Sequence, residues 1–234
     1  MSFAALLNEN GIKKGDNVIL LYVDVMDFIV AFYACMYIGA VAVPVDFPTD
    51  PSNIEKWELI AKDSGAGFIL TSKKSSEMLA KITSLSETLS ELDILSEDMA
   101  ERKMEAVEFE FNATLQYTSG STGNPKGVMV SYENLLTNID VIGNYLDLGK
   151  SKSFITWLPY YHAMGLIASM LSPIYYGGKS VIVPISLRIR FYGSRQLQNI
   201  KANILLRLIL HMSLWQMFLK NYPTTKKANI RLKA

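Results

Sequence analysis

Between Leu115 and Val128 the chain reads LQYTSGSTGNPKGV, and the residue types in this stretch suit the binding of an oxyanion. Gly120, Gly123 and Gly127 let the backbone bring N–H groups close to a ligand, Thr118, Ser119, Ser121 and Thr122 add hydroxyl donors, and Lys126 adds a point charge. The spacing is not that of a Walker loop, which needs GxxxxGK, then Ser or Thr, then a helix. Here Lys126 is followed by Gly127 and by VMVS, so the chain is expected to return to extended structure after the lysine. Stretches rich in Gly, Ser and Thr are commonly flexible surface loops. The fixed order TSGSTGxPKG sets this one apart. A second chemical candidate is His162, within WLPYYHAMGLI (Trp157 to Ile167). Two readings of it stay open: a group lining a binding pocket, or a buried histidine with a satisfied hydrogen bond.

The ten positions from Thr118 to Gly127 closely resemble the phosphate-binding signature of the acyl-adenylate-forming superfamily, which includes acyl-CoA synthetases, luciferases, peptide-synthetase adenylation domains and fatty-acyl-AMP ligases. The resemblance implies that Thr118, Ser119, Gly120, Ser121, Thr122, Gly123 and Lys126 grip the β- and γ-phosphates of ATP while a carboxylate attacks the α-phosphate. Lys126 would neutralise charge on the departing pyrophosphate, and Thr122 would be the contact to Mg²⁺. WLPYYHAMGLI is similar to the WLPxYHDMGLI pattern of the fatty-acyl-AMP ligase branch, with Ala163 where that branch has Asp. By that resemblance His162, Met164 and Gly165 line the adenylate and acyl pocket. Without the neighbouring carboxylate, nothing at position 163 can fix the histidine's tautomer.

The elements that must position these residues read as α/β. Val18 to Val23 is an apolar run of strand length, Phe28 to Gly39 an apolar helix with Asp27 as its expected N-cap and Gly39 as its stop, and Val41 to Val45 a second strand. Strand, helix and strand joined by short connections make a βαβ unit with parallel strands buried on both faces. Ile54 to Asp63 reads as an amphipathic helix and Gly67 to Ser72 as a strand. These blocks resemble the N-terminal part of the same superfamily in the same order, although LLYVDVMDF (Leu20 to Phe28) departs from the glycine-containing turn of the family. Ser75 to Met104 reads as one or two solvated surface helices. After the loop, Ser131 is a candidate cap for a helix to about Tyr145, followed by a strand at FITWLP, a buried helix from Met164 to Tyr176 bent at Pro173, and a strand at SVIVP. The fold implied is a partial N-terminal domain of the adenylate-forming fold, a largely parallel sheet flanked by helices.

Half of the 234 residues are hydrophobic, enough for a sizeable core. Phe28 to Val45 and Phe154 to Gly178 are uncharged with His162 neutral, but their prolines and glycines favour a buried core over a bilayer span. The single cysteine, Cys35, excludes an internal disulfide and fits a reducing compartment. No signal peptide is visible at Met1 to Asn10, so a cytoplasmic location is expected. The net charge of +1 hides a division: residues 1–149 carry 10 Lys/Arg and 22 Asp/Glu, and residues 150–234 carry 13 Lys/Arg and no acid. A basic half of this kind can attach to nucleic acid or an anionic membrane.

Family likeness is read over residues 1–184 and not over the basic tail, 185–234. The tail has two explanations, a real basic amphipathic segment or a shift of reading frame. With one choice of synonymous codons, Leu206 to Trp215 (LRLILHMSLW) read two bases later gives Ala-Pro-Asn-Phe-Ala-Tyr-Glu-Leu-Val, very like a segment that fatty-acyl-AMP ligases carry there. The superfamily's other working parts have no counterpart in this chain: a glutamate for Mg²⁺, an aspartate on the ribose hydroxyls, the hinge and the C-terminal lysine. The expectation is therefore a piece of a fatty-acyl-AMP ligase, nearly inactive alone, whose parent takes ATP, Mg²⁺ and a fatty acid; the acceptor of the acyl group is left open between an acyl carrier protein and CoA. The alternatives are a piece of an acyl-CoA ligase, and a non-catalytic module that binds through its tail.

Overall fold

The structure is a computed structural model, and it describes residues 3–47, 54–83, 86–90, 92–96, 112–118, 125–156 and 158–182. They fall into two compact units, one up to residue 132 and one from residue 133.

The first unit is built on apolar runs too short for helices. Helix α1 (Phe3–Glu9) precedes strand β1 (Asn17–Leu20), helix α2 (Val25–Ile38) and strand β2 (Val41–Pro44). Helix α3 (Ile54–Ser64), strand β3 (Phe68–Thr71), helix α4 (Lys73–Thr83), the single turn α5 (Glu87–Ser90) and strand β4 (Asp93–Ser96) follow, then the hairpin β5 (Asn112–Thr118) and β6 (Lys126–Ser131). The sheet order is β4-β3-β1-β2-β5-β6. All neighbours are parallel except β5 and β6, which form an antiparallel edge. The expected βαβ unit is present, and every residue of β2 is buried, as strands covered on both faces require.

Helix α2 packs its inner face into the core, with Phe28, Ala31, Phe32 and Cys35 without solvent exposure. Its N-cap is Asp24 rather than the expected Asp27. The Asp24 carboxylate accepts from the backbone N–H of Met26 at 2.7 Å and of Asp27 at 3.3 Å, which places Asp27 in the first helical turn. Gly39 closes the helix as expected, in the left-handed conformation with φ 74°. The uncharged run Phe28 to Val45 is thus divided between a helix and a strand. Among the described residues no helix is long and apolar enough to cross a membrane.

The stretch read as solvated surface helices is corrected in two ways. Leu79, Ile82 and Leu89 of α4 and α5 are buried in the same cluster as Trp57, Ile60 and Ile69. In addition, Asp93–Ser96 forms β4, at the sheet edge beside β3. A four-residue edge strand, exposed or half-buried throughout, leaves no alternating apolar pattern to read.

The second unit holds most of helix α6 (Tyr132–Leu146), which starts directly after Ser131, and the parallel pair β7 (Ser153–Thr156) and β8 (Lys179–Ile182). Between these strands lies a buried helix, as expected, but Met164–Leu171 is π-helical and only Ser172–Tyr175, α7, is α-helical. Serine hydroxyls support the wider turn: Ser169 Oγ donates to Met164 O at 3.3 Å and Ser172 Oγ to Ile167 O at 2.7 Å, each five residues back. Pro173 has no N–H to offer the Ser169 carbonyl. Ser180 Oγ of β8 donates to that carbonyl instead, at 2.5 Å.

Candidate functional site

The hairpin at the sheet edge positions the two ends of the candidate phosphate-binding stretch. Thr118, the last residue of β5, pairs with Lys126, the first of β6, so both ends of the loop leave from one rung. The chain does return to extended structure after the lysine. Thr118 and Lys126 are exposed and Pro125 is half-buried, so the hydroxyl and the ammonium are open to an incoming anion. Ser119, Gly120, Ser121, Thr122 and Gly123 lie outside the described residues. The same holds for Trp157. Thr122 is the Mg²⁺ candidate, and among the described residues no group of three His, Cys, Asp or Glu side chains is placed to hold a metal ion.

Side chains that the sequence did not single out hold the hairpin. Strand β5 meets β2 at one registered pair, Ala42 with Thr114, and the buried Thr114 Oγ1 donates to Ala42 O at 2.8 Å. Gln116 Nε2 donates to Thr114 Oγ1 at 3.3 Å. One rung below the loop, Tyr117 faces Gly127, and Tyr117 Oη donates to Asp63 Oδ2 of α3 at 2.5 Å. Burial, then the bond to Asp63, push the Tyr117 phenol above its ordinary range. Nothing local marks this pair, because its members are 54 residues apart.

In the second unit the segment around His162 is tightly turned. His162 N donates to Pro159 O at 3.1 Å, and His162 O accepts from Leu166 N at 2.8 Å at the head of the π-helical segment. Its side chain is exposed, which overturns the reading of a buried, internally satisfied histidine. The Tyr161 ring lies beside it, centroids 4.8 Å apart at 49°. Ala163 offers no group to fix the histidine's tautomer. Gly165 is buried, and a Cβ there would stand 2.0 Å from Pro159 O, so no side chain fits. Met164 is half-buried. The turn therefore presents His162 outward and packs Gly165 inward.

An exposed lysine paired with a threonine on the first rung of a sheet-edge hairpin offers donors for phosphate oxygens. Comparison with known proteins narrows what kind. Over 169 residues the chain is 30% identical to the long-chain-fatty-acid–AMP ligase FadD32 of Mycolicibacterium smegmatis, covering 69% of this chain and 27% of that protein. It is also 30% identical, over 177 residues, to the medium-chain-fatty-acid–[acyl-carrier-protein] ligase JamA of Moorena producens, covering 71% of this chain and 30% of the relative. The fatty acyl-adenylate ligase of L. pneumophila, solved with acyl adenylate and pyrophosphate, superposes with a TM-score of 0.68 at 31% identity, covering 78% of this chain and 32% of that one. The chain thus spans about a third or less of the length of these relatives. The model of the AMP-binding enzyme family matches residues 1–233, basic tail included, and the chain belongs to that family.

Proposed function

We propose that this chain is the phosphate-loop portion of an ATP-dependent ligase that activates a fatty acid as its acyl adenylate. In that reaction a carboxylate oxygen of the fatty acid attacks the α-phosphorus of ATP, the bond from that phosphorus to the oxygen bridging to the β-phosphate breaks, and pyrophosphate leaves. The loop from Thr118 to Lys126 would hold the β- and γ-phosphates, with Lys126 meeting the charge that develops on the leaving pyrophosphate. The observation that carries this reading is the hairpin itself. Its TSGSTGNPKG loop leaves from the exposed Thr118–Lys126 rung, in a chain whose fold is similar to that of a ligase solved in complex with acyl adenylate and pyrophosphate. His162, Met164 and Gly165 are proposed to line the acyl and adenylate pocket in the complete enzyme. Mg²⁺ would supply charge neutralisation at the phosphates, and Thr122 is its proposed contact. An acyl carrier protein is the proposed acceptor, on the strength of the likeness to JamA. The proposed setting is the cytoplasm, in keeping with one buried free thiol, Cys35.

Adenylation depends on positioning and charge stabilisation by groups from several parts of such an enzyme. This chain alone is therefore proposed to be nearly inactive, so turnover is the wrong test. Photolabelling with an ATP analogue that carries an aryl azide on its γ-phosphate, followed by peptide mapping, is the right one. Labelling is expected within residues 112–131 and to be competed away by excess ATP or pyrophosphate. Labelling confined to other peptides, or untouched by pyrophosphate, would contradict the reading.

A further inference from the structure

The rung below the loop is held by more than its own hydrogen bonds. Tyr117 and Gly127 face each other across the hairpin. A Cβ on residue 127 would stand 2.9 Å from Tyr117 Cζ, 3.0 Å from Tyr117 Oη and 3.3 Å from Asp63 Oδ2. The phenol therefore lies over the bare backbone of Gly127 on its way to the carboxylate of Asp63. At 2.5 Å the bond between them has the length of a hydroxyl donating to an ionised acceptor.

Where this bond sits gives it its importance. Strand β6 is an edge strand whose ladder partner is β5, and β5 joins the parallel sheet through the single registered pair Ala42 and Thr114. Tyr117 is three residues beyond Thr114, about 10 Å along an extended strand; there Leu115, Tyr117 and Met129 pack against the core cluster, and the bond to Asp63 adds a directional tie at the loop end. Asp63 supplies that tie from a fixed place. It is the penultimate residue of α3, and the last, Ser64, is tied to the sheet by Asn17 Nδ2 donating to its carbonyl at 2.6 Å. The path from β1 through Asn17, Ser64, Asp63 and Tyr117 ends one residue from each end of the phosphate loop.

We propose that Asp63 and Tyr117 are positioning residues for the phosphate loop, fixing the rung from which both of its ends leave, and that Gly127 is glycine so that the phenol can cross it. Neither side chain touches the phosphates in this scheme. The inference rests on the proposed function for what the loop holds. It does not rest on that function for the existence of the brace.

The test is amide hydrogen exchange on the full 234-residue chain, together with titration by inorganic pyrophosphate. In Tyr117→Phe, which keeps the ring and loses the donor, amides of residues 115–118 and 126–129 are expected to exchange about tenfold faster, the effect of losing one hydrogen bond to a charged group. Amides of β1, β2 and β3 should keep their wild-type rates, which also certifies the fold. Pyrophosphate affinity should fall at least fivefold. Asp63→Asn retains an oxygen that accepts from the phenol but loses the charge, so it should fall between wild type and Tyr117→Phe in both properties. Asp63→Ala and Gly127→Ala should behave like Tyr117→Phe. Wild-type exchange in Tyr117→Phe would overturn the brace, and unchanged pyrophosphate affinity in a loosened hairpin would overturn its positioning role. If the wild-type chain ignores pyrophosphate while Tyr117→Phe still loosens the hairpin, the function assigned to the loop falls and the brace stands.

Discussion

At the scale of single residues, an ordered string of types is readable and a pair assembled by folding is not. The loop can be proposed from the sequence because its hydroxyls, glycines and Lys126 fall within ten successive positions. Tyr117 and Asp63 were not, because an aromatic at the end of a strand and an acid at the end of a helix are ordinary in isolation. His162 shows a third case, in which the sequence left two readings open and exposure decides against one of them. An exposed histidine whose backbone bonds to Pro159 and Leu166 are local should be dispensable for folding. His162→Ala is expected to change unfolding free energy in urea by less than about 0.5 kcal/mol, as surface substitutions generally do. A loss above about 2 kcal/mol would restore the buried, structural role.

Elements were legible in proportion to how strongly their burial patterned the sequence. Strands β1, β2 and β3 are buried apolar runs bounded by glycine or polar residues, and each was found within two or three residues of its ends. Strand β4 was missed because an edge position asks for no apolar pattern. The π-helical turn was missed because serine hydroxyls reaching carbonyls five residues back leave the composition of a helix unchanged. The N-cap of α2 was misplaced by one turn, since Asp24 and Asp27 both precede apolar helical positions and only geometry separates them. The observed bonds make a clear forecast: Asp24→Ala should cost about 1 kcal/mol and Asp27→Ala distinctly less. Urea midpoints of the two variants measure this, and the reverse ranking would return the cap to Asp27.

For the whole molecule, several weak acids are buried in their neutral forms, and this sets how stability depends on pH. Burial pushes the Cys35 thiol from 9.0 up to about 12. It also pushes the Tyr132 phenol from 10.0 to about 12, helped by Cys35. A raised folded pKa stabilises the neutral form, so the contribution is fully present below the unfolded values and is lost as pH rises toward the folded ones. The urea midpoint should thus respond little to these groups below about pH 9 and fall between pH 9 and 12. A midpoint that rises across that window would contradict the burial of these groups.

A chain spanning about a third or less of its relatives' length is proposed to carry a loop that binds the phosphates of ATP. Calorimetric titration of the purified chain with pyrophosphate, beside Lys126→Ala, tests it most directly. Weak but saturable binding is expected, because the loop is proposed to be one part of a larger clamp, with a loss of roughly tenfold or more in Lys126→Ala, equal to about 1.4 kcal/mol. Binding that is absent, or that is the same without the lysine, would contradict it.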